Sequence, residues 1–282
     1  MKRIVNEKYF ENINHNSAYI IGFILGDGNI SKNDSNNYYL NIRIHEKDKE
    51  ILEFISKELT GEIQLSHYSH TQKSGLITNY VGLKITSNNL CKPLISLGIT
   101  PNKTGKERFP ALPNKYIPDF LRGYFDADGS IAIKKQTNYV FSYTCANKKM
   151  LEDIQNYFKC GKIENGHGNC YTYYVSNLDD ILKIGKILYN SRGFYLKRKK
   201  ERFDSMPKKN RYLAFGEYKT LAEWSKDSRC CVHRDTLLYR INNTSLSTED
   251  CITLKPKSKI GDMYSRNKKK TRKHKKNNYE KL

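Results

Sequence analysis

Long apolar runs, paired cysteines and acidic residues are what this chain is short of. No stretch of its 282 residues is long and apolar enough to span a bilayer, and the first seven lack the apolar run of a secretory leader. A membrane-spanning or secreted protein is therefore not expected. The seven cysteines are scattered and odd in number, and no two form a C-x-x-C pair. That spacing argues against a structural zinc site and for free thiols in a reducing compartment. Acids are outnumbered: 29 Asp and Glu face 50 Lys and Arg, a formal net charge of +21. Such an excess favours a polyanionic partner, with nucleic acid ahead of an anionic membrane surface or a ribosome. Hydrophobic residues at 38%, with 21 tyrosines, supply real cores and exclude a disordered polycation.

What is there is written twice. Tyr19-Ile20-Ile21-Gly22-Phe23-Ile24-Leu25-Gly26-Asp27-Gly28 returns 101 residues later as Phe120-Leu121-Arg122-Gly123-Tyr124-Phe125-Asp126-Ala127-Asp128-Gly129. Alternating stretches follow each copy at 38–44 and 139–144, then helix-like segments at 49–59 and 148–158. Gly61-Glu62-Ile63 and Gly161-Lys162-Ile163 come next, then strands at 80–85 and 171–175 and closing helices at 90–97 and 181–189. The order helix, two strands, helix, two strands, helix is thus repeated. The expected divisions are a first half at 1–104, a second half at 105–196, a basic linker at 197–211, a helical module at 212–256 and a basic tail at 257–282. From Gly261 that tail carries nine Lys or Arg against two acids and is expected to be disordered until bound.

Gly22 and Gly26 lie four apart on one helix face, as do Gly123 and Ala127, so two helices can approach backbone to backbone. Pro118 suits a first helical turn, and Gly28 and Gly129 are natural helix stops. Asp27 and Asp128 then fall at helix C-termini, where the backbone is already partly negative. Two such carboxylates repel unless a cation joins them, and oxygen donors suit Mg²⁺, with substrate phosphate completing the shell. One Gly-Asp-Gly after an apolar run is usually a simple helix stop with a turn aspartate; two copies, each after an apolar helix with small residues at i and i+4, are much harder to dismiss.

These segments resemble the paired signature motifs of the LAGLIDADG homing endonucleases, in the form where one chain carries both halves. The second motif is close to the family pattern; the first departs at Leu25, where the family often has an acid. The resemblance covers roughly residues 15–195. It implies an α+β fold, a duplicated αββαββα arrangement with two saddle-like antiparallel sheets lying along duplex DNA. It also implies metal-dependent hydrolysis of both strands, with Mg²⁺, replaceable by Mn²⁺, held by Asp27 and Asp128 together with Gly26 and Ala127. The family's late-strand basic residue falls on Lys84 in the first half, while the second half has no lysine there and leaves Lys134 or Lys135 as substitutes. Glu46 and Asn147 fall near a position that orders water.

Base reading is expected from one strand face, with Lys32, Asn37, Tyr39, Asn41, Arg43, Lys134, Gln136, Asn138 and Tyr143 as candidates. In the module, Thr220-Leu221-Ala222-Glu223 is a capping box. A second helix at 233–241 has Leu237, Leu238 and Ile241 for the core and His233, Arg234, Thr236 and Arg240 as its polar set. Two short helices in this order suggest a helix-turn-helix DNA reader that also resembles the small modules appended to such nucleases. The expected partner is double-stranded DNA, with the protein's own intron RNA second, and the chain acts as a monomer in a cytoplasm or organelle. The rival readings are an intron maturase and a non-catalytic DNA-binding protein on the same fold.

Overall fold

Asn14 explains where the first helix begins. Its side chain accepts from the Ser17 amide and Ser17 answers it, so α1 (His15–Asp27) opens on a reciprocal cap and then buries Ser17 through Leu25. In the computed structural model, which describes residues 4–134, 138–190, 193–206 and 211–256, α1 begins the larger of two compact units, Met1–Met206; the second is Pro207–Leu282.

In the first unit the chain runs on through β1 (Gly28–Lys32), β2 (Tyr38–His45), α2 (Lys49–Thr60), β3 (Ser66–Thr71), β4 (Ile77–Thr86) and α3 (Asn88–Ser96). It then repeats the series as α4 (Ile117–Asp128), β5 (Gly129–Lys134), β6 (Asn138–Cys145), α5 (Lys148–Phe158), β7 (Lys162–Asn165), β8 (Tyr171–Val175) and α6 (Leu178–Tyr189). Both sheets are antiparallel, in the matching orders β1-β2-β4-β3 and β5-β6-β8-β7. The duplicated αββαββα fold is therefore present. The third strand of the first half starts at Ser66, beyond the Gly61-Glu62-Ile63 marker, because Gly61 is spent as the left-handed cap of α2.

Strand alternation sorts the faces. Ile30, Leu40, Ile42, Ile44, Val81, Leu83 and Ile85 point into the core of the first half. By register, Asn29, Ser31, Tyr39, Asn41, Arg43, His45, Ser66, Tyr68, Tyr80, Gly82, Lys84 and Thr86 share the opposite, open face. In the second half Ile131, Phe141, Tyr143, Tyr173 and Val175 go inward, while Ser130, Ala132, Val140, Ser142, Thr144, Lys162, Glu164, Thr172 and Tyr174 share the open face.

Residues 197–204, expected as linker, are a helix instead. In α7 (Lys197–Asp204) the basic run hides an inward stripe: Lys199 and Phe203 are buried and Met206 follows them into the core. Arg198 grips Asp48 with two bonds of 2.7 and 2.8 Å, so α7 ties the second half to the first.

The second unit is a hairpin followed by short helices: β9 (Arg211–Ala214), β10 (Glu217–Thr220), α8 (Leu221–Trp224), α9 (Arg234–Asn243) and α10 (Thr248–Thr253). Its small core gathers Ala214, Trp224, Val232, Leu237, Cys251 and Ile252. The capping box of Thr220 and Glu223 forms as expected. The hairpin does not follow from helical patterning, and its turn puts Phe215 and Gly216 at positive φ. Leu238, expected in the core, is exposed. The tail from Gly261 lies outside the described residues.

Candidate active site

The two motif helices cross where no side chain fits. A Cβ on Gly22 would lie 2.0 Å from the Phe120 carbonyl oxygen, and one on Gly123 would lie 1.9 Å from that of Tyr19. One helical turn later, a Cβ on Gly26 would meet the Ala127 Cβ at 2.3 Å and the Asp128 Oδ2 at 3.0 Å. The Asp128 carboxylate therefore lies against the last turn of α1, next to Asp27. Gly28 and Gly129 do end the helices, but in extended backbone rather than the left-handed form. Glycine is needed there for room, since a Cβ would strike Ile24 or Phe125.

Both carboxylates are exposed at their tips yet flanked by protein. Burial, then the neighbouring Asp128 charge, lifts Asp27 to about 6. Burial raises Asp128 as well. The cations that oppose these shifts are Lys103 and Lys199. Lys103 donates to the Leu25 and Gly26 carbonyls at the end of α1. Lys199 donates to those of Phe125, Asp126 and Gly129 at 2.5–2.8 Å, with Ala127 at 3.5 Å. Each motif helix thus ends on an ammonium that offsets its negative pole. Burial brings Lys199 down to about 8 and lowers Lys103 too. Neither lysine was singled out from sequence. Their one sequence signal is parallel placement: each follows the closing helix of its own half.

Among the described residues no three His, Cys, Asp or Glu side chains gather to hold a metal. Two carboxylates and free carbonyl lone pairs still fit Mg²⁺, which typically takes one or two protein carboxylates and leaves the rest of its shell to water and phosphate. The Gly26 and Ala127 carbonyls sit beside that pair, each already facing a lysine.

The remaining candidates separate. Lys84 lies on the open face with its ammonium 4.3 Å from the Tyr39 ring centroid, opposite Asn41, and Arg43 lies 4.1 Å over Tyr68. Lys32 falls on the other side of the sheet, paired with Tyr38 and stacked on it. Asn37 is engaged by the Asn88 amide. Glu46 faces His67 at 3.7 Å. Asn147 caps α5 and donates to the Gly105 carbonyl. Lys134 and Asn138 pair at their strand ends; Lys135 and Gln136 lie outside the described residues.

Two candidates are corrected outright. Tyr143 is fully buried, its hydroxyl donating to the Leu121 carbonyl, so it reads no base. Arg240 is buried too, donating to the Cys251 and Leu254 carbonyls, because the carbonyls around α10 need a donor. His233 caps α9 through its ring, and Arg234 and Thr236 are exposed beside it.

Fold and site together define a protein of two tandem α+β halves that joins one aspartate from each at a shared helix crossing. Residues 16–81 match the family model of the WhiA LAGLIDADG-like domain, and residues 116–183 that of the LAGLIDADG-like domain, one match in each half. The chain is 27% identical over 208 residues to a glutamine–fructose-6-phosphate aminotransferase of Methanocaldococcus jannaschii, covering 70% of this chain and 18% of that protein. It is 29% identical over 219 residues to a probable translation initiation factor IF-2 of Thermococcus kodakarensis, covering 72% of this chain and 17% of the factor. It therefore spans under a fifth of the length of either relative. Among solved structures, the LAGLIDADG meganuclease I-AabMI bound to uncleaved DNA is similar at 18% identity and a TM-score of 0.46, over 68% of this chain and 88% of that one.

Proposed function

We propose that this chain is a site-specific endonuclease that hydrolyses both strands of duplex DNA with divalent metal, Mg²⁺ or Mn²⁺, held by Asp27 and Asp128. The observation that carries this reading is the meeting of one carboxylate from each half at the C-terminal ends of α1 and α4, each raised in pKa. A bound divalent cation would supply an activated water and offset charge on the phosphate. The chain's own part is to hold the two acids at fixed spacing, with Lys103 and Lys199 anchoring the helix ends and adding positive field. Asp27 serves one strand and Asp128 the other. Lys84, Glu46, Asn147 and Lys134 remain the proposed polar groups around the phosphates.

The open sheet faces carry Tyr39, Asn41 and Arg43 toward the DNA. His233, Arg234 and Thr236 of α9 extend the contact, as a helix-turn-helix unit would. The two curated relatives have unrelated activities and share with this chain only a small fraction of their length. What is common is therefore a module separable from either activity.

The test is cleavage of a duplex library with Mg²⁺ by the purified protein. Site-specific double-strand breaks that disappear with EDTA, and fall by about a thousandfold or more in Asp27→Asn and Asp128→Asn, are expected. Tight binding without cutting, or tighter binding to structured intron RNA, would overturn the nuclease in favour of the regulator or maturase.

A further inference from the structure

The open face of the first sheet holds an arginine that is already ordered. Arg43 stands on β2 with its guanidinium carbon 4.1 Å from the Tyr68 ring centroid. Tyr68 stands on β3 and reaches back over Gly82, the β4 residue paired with Arg43. A Cβ on Gly82 would come within 2.9 Å of the Tyr68 ring, so a side chain there would have to displace the ring. No acidic residue shares this face, and among the described residues Arg43 has no carboxylate partner.

A guanidinium whose flat face rests on a ring keeps its in-plane N–H edge free. That edge matches two adjacent acceptors, as the O6 and N7 of guanine present in the major groove. Holding it in place beforehand removes much of the ordering cost that a long side chain meets on binding. Among the described residues the second half has no counterpart. Thr144 and Thr172 occupy the positions of Arg43 and Gly82, and the neighbouring strand adds Glu164, bonded to Tyr174.

We propose that Arg43 reads one guanine in the half-site under the first sheet, with Tyr68 and Gly82 as the positioning residues that hold it flat. This rests on the DNA reading above and names a specificity element within it. The test is selection from a randomised duplex library in EDTA, so that binding is read without cutting. Wild type is compared with Arg43→Lys, Tyr68→Leu and Gly82→Ala.

Wild type is expected to enrich guanine strongly at one position. Arg43→Lys, which keeps the charge and loses the fork, should lower that preference about tenfold or more. Tyr68→Leu and Gly82→Ala should weaken the same position several-fold and leave other positions and the salt dependence unchanged. An unchanged guanine preference in Tyr68→Leu overturns the positioning role. An equal loss of affinity for every sequence in Arg43→Lys makes Arg43 a phosphate contact and overturns the proposal. A wild type that selects no sequence fails before any variant is compared, and then the DNA reading falls with it.

Discussion

The two motif helices share one geometry and differ in chemistry at matching positions. Ala18, Ile21 and Leu25 of α1 correspond, 101 residues on, to Asp119, Arg122 and Asp126 of α4. All six are buried. In α4 the charges fasten irregular backbone: Arg122 bonds Asp119 and the Leu188 and Phe194 carbonyls, and Asp126 accepts from the Leu196 amide and the Tyr19 hydroxyl. Those bonds hold Leu188, Phe194 and Leu196, the last of them just ahead of α7, which brings Lys199 to the end of α4. The first half delivers Lys103 from a loop and keeps its helix apolar. Between the two motif helices, buried charge appears in α4, where it satisfies carbonyls and an amide outside the helix itself.

Several substitutions would break this contrast. The largest effect is expected from Arg122→Met, which leaves the Leu188 and Phe194 carbonyls without their donor and Asp119 without its guanidinium, though still against His15, and should cost about 3 kcal/mol. Ile21→Met at the matching site should cost less than about 1.5 kcal/mol. Urea unfolding of the pair reads the difference directly; equal costs would mean that the α4 network holds nothing in place.

Next come the two lysines. Lys199→Met removes a buried donor from several carbonyls and should cost about 3 kcal/mol, whereas the half-buried Lys103 should cost about 1 kcal/mol. Thermal melts without metal would rank them, and a larger loss for Lys103 would reverse the account.

The smallest effect sharpens the site itself. Asp27 is raised to about 6 in the fold from the usual 3.8. Between those values the folded state binds more protons than the unfolded state, so its contribution falls as pH rises from about 4 to 6 and stays low above that. Asp27→Asn should therefore stabilise the metal-free protein at pH 8 by about 1 kcal/mol after allowance for solvent screening, and by nothing near pH 3. Melting curves at the two pH values decide it. A carboxylate that weakens its own fold until a cation arrives is expected at a functional site.

Much of this was legible in the chain. The doubled order of helices and strands and the paired aspartates follow from local pattern, because periodicity and capping act over a few residues. Lys103 and Lys199 were not, since each bonds carbonyls 70 or more residues away. The run Lys197-Arg198-Lys199-Lys200 suggested a linker because composition hides which lysine faces inward. Tyr143 and Arg240 failed as DNA contacts for a related reason: polar tips were assumed to need solvent, and both found carbonyls instead. The hairpin at 211–220 escaped notice because its turn puts a phenylalanine where glycine or asparagine is the usual signal.

At Gly22 and Gly123 the halves touch main chain to main chain, with no side chain between them. Rotamers cannot adjust such a joint, so the spacing between the main chains that carry Asp27 and Asp128 is set by the backbone. Under the double-strand cleavage proposed above, that joint would act as a ruler. The sheets could change what they read while the distance between the two cuts stayed set by the crossing.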